Sequence, residues 1–563
     1  MAYLTDYAKN LNDTPQSEPI PMAKTPQVAN SAGGYSWAVD DWTRLDRFCV
    51  LGAEGGTYYI SQQKLTKENA EATLRCIKTD GPRAVRRIAE ISEQGRAPRQ
   101  QPAIFALALA SVFGDVGTKR LAYDSVTRVC RTASTLMTYV QYVTTLKPTN
   151  GWSRGLRRAV GTFYTSRDAR SLAYQVTKYR ERDGWSNDDL LRASHAESND
   201  LEVRSVLNWV TGRPDPRQEI AVKGDALTYL DAFEELQHAS SATFAAQLIK
   251  TFRLPRECVP TNLLKETVVW EALLEDMPLT AMIRNLATMT RIGLIKPMAP
   301  VISTIKERVT DADRLKKARV HPVAILTAML TYQSGRSQRG DSHWDPEQRV
   351  IDALDQAFYL AFGAVQPTNK RMLLALDISG SMSGGECAGV RGLTPRVGSA
   401  AMALVTANVE QNYHFIGFTS GNGRATFSCS IEGITQLAIS PRQRLDDVVG
   451  YTEALPMGGT DCALPMLWAA QNNVPIDVFA TYTDSETYAG KPHPSQALEQ
   501  YRQKMGIDAK MAVIGMTSNG FTIANPDDSG QIDCVGFDSA TPQIISQFAV
   551  GEKYNSPTTE DEE

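Results

Sequence analysis

Residues 371–381 read RMLLALDISGS and decide the fold of the C-terminal part of the chain. The apolar run RMLLAL is typical of a strand that is buried on both faces of a parallel sheet. The run ends at Asp377, and Ser379 and Ser381 follow at alternate positions, so one carboxylate and two hydroxyls lie at the strand's carboxyl end. Because Mg²⁺ prefers oxygen ligands in octahedral geometry, this stretch predicts a divalent metal site.

Two further segments extend this prediction, since DISGS alone also fits an ordinary polar turn after a strand. GGTD at residues 458–461 places Thr460 on a glycine-rich loop, and Asp484 ends a second strand-like run, DVFATYT at 477–483. We expect Thr460 to add a ligand oxygen and Asp484 to hold a coordinated water. No His or Glu stands beside a nucleophile as a base, and no second carboxylate cluster is present for paired ions. The site is predicted to bind rather than to catalyse, and the protein is predicted not to be an enzyme.

This set of residues resembles the metal-ion-dependent adhesion site of von Willebrand factor A domains. Apolar segments alternate with helical patterns around it, with strands predicted at 372–376, 413–418, 478–482 and 511–515 and helices at 397–411, 463–471 and 494–504. Such alternation predicts a doubly wound, Rossmann-like α/β domain with a mainly parallel sheet. Ligands of these sheets gather at the strand C-termini, where Asp377 and Asp484 both lie.

The preceding part of the chain is predicted to be helical and to form an α-solenoid of the HEAT kind. Candidate helices span 102–113, 119–131, 169–182, 187–194, 226–238, 241–251 and 279–290. The predicted organisation is a flexible extension at 1–21, a helical domain at 22–369, the α/β domain at 370–550 and an acidic tail at 551–563.

Charge is distributed unevenly within the net −4 of the chain. Residues 119–182 hold 13 Lys and Arg against 3 Asp and Glu, an excess that attracts polyanions such as RNA. On a helix spanning 119–131, Arg120, Arg128 and Arg131 are predicted to share a cationic face. Lys119 at the start of this helix is a further candidate for RNA contact. The alternative is a solvated helical surface whose field is cancelled by other parts of the chain.

Three more residues are candidates for RNA contact. On a helix spanning 169–182, Lys178 and Arg182 are four residues apart and would point away from the core together, where a phosphate could bridge them. The alternative for Arg182 is a pair with Asp183. His195 fits either a surface or capping histidine or a group that stacks on an unpaired base.

Composition excludes several classes of protein. No stretch approaches the roughly 18 consecutive apolar residues of a membrane span, and the first thirty residues lack an apolar signal core. The eight cysteines are scattered without a CxxC pair, which argues against a zinc knuckle or a disulfide framework. We expect a soluble, cytoplasmic and monomeric protein with reduced thiols.

Longer motifs make the chain similar to the Ro autoantigen family in its bacterial form, whose helical part is called the TROVE domain. They are AGGYSWAVDDWTRLDRFCVLGAEGGTYYI at 32–60, KYRERDGWSNDDLLRASH at 178–195, ALLEDMPLTAMIRN at 272–285, DISGS, GGTDCALPM at 458–466, TDSETYAG at 483–490 and GMTSNGFTIANPDD at 515–528. The resemblance implies a ring of HEAT-like repeats closed by the von Willebrand A domain. It assigns RNA contact to Lys178 and Arg182 of the KYxxRxGWS stretch and to His195 of the LRxSH stretch.

The same resemblance implies that small non-coding Y RNAs bind on the outer surface, and that misfolded RNAs pass single-stranded ends into a central hole. Bacterial members are associated with exoribonucleases in RNA quality control, maturation and decay. A second hypothesis is a metal-dependent protein-interaction module, in which the metal site grips an acidic side chain of a partner and RNA binding is secondary. A third is a magnesium-dependent nuclease, motivated only by metal and RNA in one chain.

Overall fold

The computed structural model describes residues 13–52, 70–148, 151–213, 224–337, 341–363, 365, 367–384, 393–420, 433–455, 458–517 and 520–551. The chain divides into two compact units. Unit 1 comprises residues 1–64, 96–98 and 362–563, and unit 2 comprises residues 65–95 and 99–361. The segment 385–392, which follows the predicted metal motif, and the acidic tail beyond residue 551 lie outside the described residues.

The described helices are α1 Asp41–Leu51, α2 Glu71–Thr79, α3 Gly81–Glu93, α4 Gln101–Phe113, α5 Val116–Asp124, α6 Val126–Val129, α7 Ala133–Leu146, α8 Arg154–Thr165, α9 Ala169–Lys178, α10 Asn187–Ser194, α11 Leu201–Thr211, α12 Asp225–Gln237, α13 Ala242–Phe252, α14 Thr267–Asp276, α15 Leu279–Arg291, α16 Val301–Val309, α17 Ala312–Lys317, α18 Pro322–Gln333, α19 Gln348–Leu360, α20 Pro395–Val409, α21 Leu445–Glu453, α22 Leu464–Gln471, α23 Pro494–Met505 and α24 Thr541–Val550. Short 3₁₀ turns span Arg256–Cys258, Leu263–Lys265 and Gly380–Ser383.

The described strands are β1 Val28–Ala29, β2 Tyr35–Ala38, β3 Glu181–Arg182, β4 Trp185–Ser186, β5 Met372–Asp377, β6 Tyr413–Phe418, β7 Ile434–Gln436, β8 Val478–Thr483, β9 Lys510–Gly515, β10 Phe521–Thr522 and β11 Gln531–Val535. Six of these strands form one sheet in unit 1, in the order β11-β9-β8-β5-β6-β7. Every neighbouring pair is parallel except β6 with β7. The predicted doubly wound α/β domain is confirmed.

Helices cover both faces of this sheet, as its fully buried strands require. All six residues of β5 are buried, which explains why the run shows no polar alternation. Leu373 and Ala375 share one core with Trp468 of α22 and Tyr501 of α23. Successive side chains of a strand point to opposite faces, and α20 packs near β5 and β8 on the other side.

The N-terminal segment belongs to unit 1 rather than to the helical unit. The strand β2 pairs with β10, and Arg47 of α1, which is 1% exposed, forms an ion pair with Asp533 of β11 at 2.6 Å. The prediction of a flexible extension at 1–21 is wrong for residues 13–21, because Gln16 is completely buried and hydrogen-bonded in this unit. Residues 1–12 lie outside the described part of the chain.

Unit 2 is built from helices that pack on near neighbours in sequence, as in an α-solenoid. Examples are α4 with α7, α9 with α12, α13 with α14 and α18 with α19. The predicted helix 187–194 is observed with those bounds, and the predicted helices 102–113, 226–238, 241–251 and 279–290 differ by one residue at one or both ends. No helix in the described part of the chain combines the length and apolar character needed to cross a bilayer.

Two predicted helices of unit 2 are wrong in a way that matters for function. Residues 119–131 do not form one helix, because α5 ends before Ser125 and only the short α6 follows. Residues 169–182 are helical only to Lys178, and the chain then turns into the β3–β4 hairpin. The continuous helices from which the cationic face and the helical spacing of Lys178 and Arg182 were predicted are therefore incorrect.

We predict opposite effects for two Gly→Ala substitutions in helices of unit 1. A Cβ on Gly398 of α20 would lie 2.0 Å from Cζ of buried Phe537, whereas a Cβ on Gly450 of α21 would meet nothing within 4 Å. Gly450→Ala should raise stability by about 0.5–1 kcal/mol, and Gly398→Ala should lower it by about 1–3 kcal/mol. Thermal unfolding of the full chain checks this, and equal shifts of both variants in one direction would contradict it.

Candidate metal centre and nucleic-acid interface

Asp377 and Asp484 meet at one edge of the sheet because the strands that precede them are parallel neighbours. Asp377 is the last residue of β5, Asp484 follows the last residue of β8, and the register pairs Leu376 with Tyr482. Both carboxylates are buried, at 0% and 3% exposure. The sequence-based placement of the two at a common edge is correct.

A continuous set of hydrogen bonds joins the two carboxylates through the DISGS hydroxyls. The backbone N–H of Ser379 donates to Asp377 Oδ1 at 2.9 Å, and the Oγ atoms of Ser379 and Ser381 lie 2.8 Å apart. The Ser381 hydroxyl also bonds to the Asp484 carboxylate. The 3₁₀ turn Gly380–Ser383 bends the chain so that both hydroxyls remain at the strand end.

Thr483 is part of this arrangement, although sequence reasoning did not select it. Its Oγ1 donates to Asp377 Oδ2 at 2.6 Å and accepts from the backbone N–H of Ser485 at 3.1 Å. The only available signal was a hydroxyl residue directly before the strand-terminal acid. Thr483 fixes the Asp377 carboxylate from the neighbouring strand.

A buried arginine supports the motif from behind. Arg396 of α20 is 3% exposed, and one of its terminal nitrogens donates to the carbonyl oxygens of Ile378 and Ser379 at 2.7 and 3.3 Å. Its other terminal nitrogen donates to the carbonyls of Thr452 and Leu455. The guanidinium holds the backbone of the motif, and the DISGS hydroxyls are left to face the carboxylates.

The loop with Thr460 is held by backbone hydrogen bonds, and its two glycines lie close to neighbouring side chains. Gly380 N–H donates to Gly458 O at 3.1 Å, and Ser420 N–H donates to Gly459 O at 2.8 Å. A Cβ on Gly458 would lie 2.0 Å from Thr419 Oγ1, and one on Gly459 would lie 2.3 Å from the Tyr488 hydroxyl. Thr460 is 3% exposed, and its loop is bonded directly to the DISGS turn.

The electrostatics of the two acids favour a bound cation. Burial raises the pKa of Asp377, and the nearby charge of Asp484 raises it further. Burial likewise raises the pKa of Asp484. Two carboxylates that disfavour each other's ionised form in a buried site are stabilised by a divalent cation between them.

The donor set fits a hard cation with few charged ligands. Among the described residues, no group of three or more His, Cys, Asp and Glu side chains is arranged to hold a metal ion. The predicted site has two carboxylates, and its remaining oxygens are the hydroxyls of Ser379, Ser381 and Thr460. Such a set suits Mg²⁺, which keeps several waters and binds few carboxylates.

The RNA candidates in unit 2 lie on a short segment with a hairpin at its centre. Strands β3 and β4 pair antiparallel, with Arg182 opposite Trp185. The two turn residues Asp183 and Gly184 both have positive φ, at 52° and 80°, as a type I′ turn requires. This Asp-Gly signal was present in the sequence but was overridden by the helical pattern.

The hairpin is held on helix α7 by side-chain hydrogen bonds. Thr138 Oγ1 donates to Asp183 Oδ2 at 2.6 Å, and Trp185 Nε1 donates to Gln141 Oε1 at 3.0 Å. The Trp185 ring also packs against Trp152, with centroids 5.6 Å apart. Arg182 is 54% exposed on the hairpin and forms a 3.4 Å ion pair with Asp183.

Buried Asn187 ties the hairpin to the helices on either side, and sequence reasoning missed it. Its Nδ2 donates to the Tyr179 carbonyl at 2.8 Å, and its Oδ1 accepts from the Tyr164 hydroxyl at 2.9 Å. Asn187 begins α10, and His195 ends it as an exposed C-cap residue with φ 53°. One short segment thus carries all three candidates, Lys178, Arg182 and His195.

Lys178 borders a cleft of about 270 Å³ that is also lined by Arg170, Arg253 and Arg256. Its Nζ donates to the Tyr174 hydroxyl at 2.8 Å. Glu257 and Asp276 lie in the same cleft, so its charge is mixed rather than purely basic.

Two of the four basic candidates at 119–131 have their guanidinium groups bonded to other side chains of the protein. Arg128 forms two 2.7 Å bonds with the Glu93 carboxylate, and Arg131 donates to Ser92 Oγ and Gln100 Oε1 at 3.1 Å each. Burial also lowers the pKa of Arg131. Lys119 is half-buried and Arg120 is exposed on α5. The four do not lie on one continuous helix.

Both units match models of known domains. Residues 28–333 match the TROVE domain, and residues 371–549 match the Ro60 vWA domain. The chain belongs to the Ro60 family. Residues 28–52 of the TROVE match lie in unit 1 of the structure, together with the vWA domain.

Two Ro60 relatives align along most of this chain. It is 39% identical over 528 residues to RNA-binding protein RO60 of Deinococcus radiodurans, covering 93% of this chain and 96% of the relative. It is 33% identical over 606 residues to RNA-binding protein RO60 of Caenorhabditis elegans, covering 94% and 91%. The crystal structure of the D. radiodurans RO (RSR) protein is similar, with a TM-score of 0.67, 38% identity, and coverage of 91% of this chain and all of that chain.

For this Ro60 family member, we predict that Asn187 rather than Arg182 determines the stability of the hairpin. Asn187→Ala leaves the Tyr164 hydroxyl and the Tyr179 carbonyl without their buried partner, a loss of about 1–3 kcal/mol. Hydrogen exchange across 179–186 should accelerate in this variant. Arg182→Ala should leave exchange almost unchanged, since its ion pair is exposed. Unchanged protection in Asn187→Ala would contradict this role.

Proposed function

We propose that this chain is a non-catalytic RNA-binding scaffold for small structured non-coding RNAs of the Y class. The observation that carries the proposal is the 178–195 segment, where Lys178, Arg182 and His195 lie on one locally braced stretch. The two curated relatives are named RNA-binding proteins and align with more than nine-tenths of this chain.

The geometry of that segment suits phosphate and single-stranded bases. The Arg182 guanidinium is exposed and its pair with Asp183 is long, so a phosphate can replace the carboxylate at low cost. His195 is exposed in the left-handed conformation after α10, where its ring is accessible for stacking on an unpaired base. Lys178 supplies a second cation at the end of α9.

The scaffold acts in RNA quality control, maturation or decay in the cytoplasm. It presents misfolded non-coding RNA, held by its single-stranded ends, to an exoribonuclease. We propose no catalytic step for the scaffold, since the described residues of the metal centre are two carboxylates and hydroxyls, a set suited to binding a cation.

The metal centre supports a second function in unit 1, namely metal-dependent docking of an acidic protein partner. Asp377, Ser379, Ser381 and Thr460 would hold Mg²⁺, and Asp484 would hold it directly or through water. The ion supplies an electrophilic position for a partner's Asp or Glu. The chain's residues orient the carboxylates and the hydroxyls and limit access of bulk water.

We predict that Lys178→Ala with Arg182→Ala weakens binding of a Y-like RNA. Charge-assisted hydrogen bonds contribute about 1.5–3 kcal/mol each, which corresponds to about tenfold or more per side chain. The slope of log K against log salt should fall by about one for each phosphate-binding side chain that is removed. Gel-shift titrations at several salt concentrations measure both quantities.

Arg349→Ala is the matched control, because Arg349 is 53% exposed and paired with Glu347, much as Arg182 is paired with Asp183. It should retain both affinity and salt slope. Unchanged binding in the double variant would show that the RNA surface is assigned wrongly. Cleavage of labelled RNA by purified protein in Mg²⁺, abolished by Asp377→Ala, would instead establish a nuclease.

We predict that Asp377→Asn abolishes tight binding of Mg²⁺ or Mn²⁺. Loss of groups that only support a metal ligand costs about 10–100-fold in affinity, so loss of a ligand charge should cost more than about 100-fold. Calorimetric titration of the full chain measures this, with exposed Asp508→Asn as the control. Capture of acidic partners should disappear with chelator and in Asp377→Asn. Equal ion binding by both variants would contradict the assignment.

A further inference from the structure

The N-terminal residues 13–36 lie against the loops that carry Thr460 and Asp484. Gln16 is at the centre of this contact and is fully buried. Its Nε2 donates to Asp461 Oδ1 and to the Pro492 carbonyl, both at 2.8 Å. Its Oε1 accepts from the Thr487 hydroxyl. The two N–H groups and the carbonyl oxygen of the Gln16 amide are thus all hydrogen-bonded, to Asp461 on the first loop and to Thr487 and Pro492 on the second.

The backbone of Gln16 extends the same contact. Its N–H donates to Gly490 O at 3.0 Å, and its carbonyl accepts from Tyr35 N–H at 2.8 Å. Gly490 has no room for a side chain, since a Cβ would lie 2.2 Å from the Asp461 carboxylate. The N-terminal segment is therefore bonded to the second loop through its backbone as well as through the Gln16 side chain.

The residues held by Gln16 adjoin the predicted ligands. Asp461 follows Thr460 directly, and Thr487 lies three residues after Asp484. Thr487 Oγ1 accepts from Cys462 N–H at 3.0 Å, and Thr460 O accepts from Tyr488 N–H at 3.2 Å. These bonds connect the two loops directly. The Gln16 amide adds a bridge between them, because its Nε2 donates to both Asp461 and Pro492.

Asn30 and its neighbours make a second clamp on the loop after Asp484. Asn30 Nδ2 donates to Thr487 O at 2.8 Å, and Ser36 Oγ donates to Ser485 O at 3.3 Å. A Cβ on Gly34 would lie 1.9 Å from Thr487 O. The N-terminal segment therefore contacts the loop at residues 485, 487, 490 and 492.

We propose that residues 13–36 form part of the metal centre and that Gln16 is its positioning residue. This inference rests on the proposed metal site. Mg²⁺ requires near-ideal octahedral placement of its ligands, yet Thr460 and Asp484 lie on loops beyond the strand ends. Loop ligands hold such geometry only when their supporting hydrogen bonds are fixed. Gln16 fixes both loops with one side chain, and only an amide offers donor and acceptor in this pattern.

Two variants test the proposal in the full chain. Gln16→Ala removes all three side-chain bonds, and Gln16→Glu keeps the shape but places an oxygen against the Asp461 carboxylate. Both should weaken Mn²⁺ binding by about 10–100-fold in calorimetric titration. In the absence of metal, hydrogen exchange at 458–461 and 484–490 should be faster in both variants than in wild type. This second measurement reports on the loops themselves and does not depend on metal binding.

Lys24→Ala is the matched control on the same segment, because Lys24 is 86% exposed and its ion pair with Asp527 is 3.5 Å long. It should change neither affinity nor exchange, and RNA affinity should be unchanged in all three variants. If wild type binds Mn²⁺ through Asp377 while both Gln16 variants bind within twofold of it, the positioning role is overturned. If wild type binds no Mn²⁺, the metal site itself is wrong and the inference fails with it.

Discussion

The parallel pairing of β5 with β8 places two acidic side chains in one buried position, and the local structure is organised around that placement. Asp377 ends β5 and Asp484 directly follows β8, and their common edge is dictated by the register of the sheet. Two carboxylates without counter-charge would destabilise this edge. The surrounding hydroxyls, and the cation that we propose, offset this cost, because the hydroxyls of Thr483 and Ser381 bond to Asp377 and Asp484 without adding negative charge.

This constraint explains why support for the site comes from distant parts of the chain. Arg396 holds the DISGS carbonyls, Thr483 holds Asp377 from the neighbouring strand, and Gln16 holds the two loops. The sequence separation between Gln16 and Asp461 is 445 residues. A ligand set built on loops needs such contacts, since strand pairing fixes only the residues up to the strand end.

The sequence was sufficient where structure follows from local pattern. Strand 413–418 and helix 187–194 are observed with the predicted bounds, because their apolar periods and caps are strong. It failed where a local polar signal competed with a helical period, at Ser125 and at Asp183-Gly184. It also failed for residues 13–21, whose polar and proline-rich composition is typical of flexible segments. Gln16 is ordered by tertiary hydrogen bonds that no pattern of neighbours in sequence predicts.

Density of basic residues is a poor guide to an RNA surface unless the partners of each cation are known. Arg128 and Arg131 lie in the same basic stretch as Arg182, yet Arg128 has a bidentate carboxylate partner and Arg131 is partly desolvated between Ser92 and Gln100. Recruiting either to phosphate would break these bonds and leave partners unsatisfied. Arg182 has a long, exposed pair on a hairpin whose position is set by Asn187, Thr138 and Gln141 instead. Because the side-chain contact of Arg182 is exposed and long, we propose the Arg182 guanidinium as the phosphate contact, at a position that the surrounding hairpin contacts define.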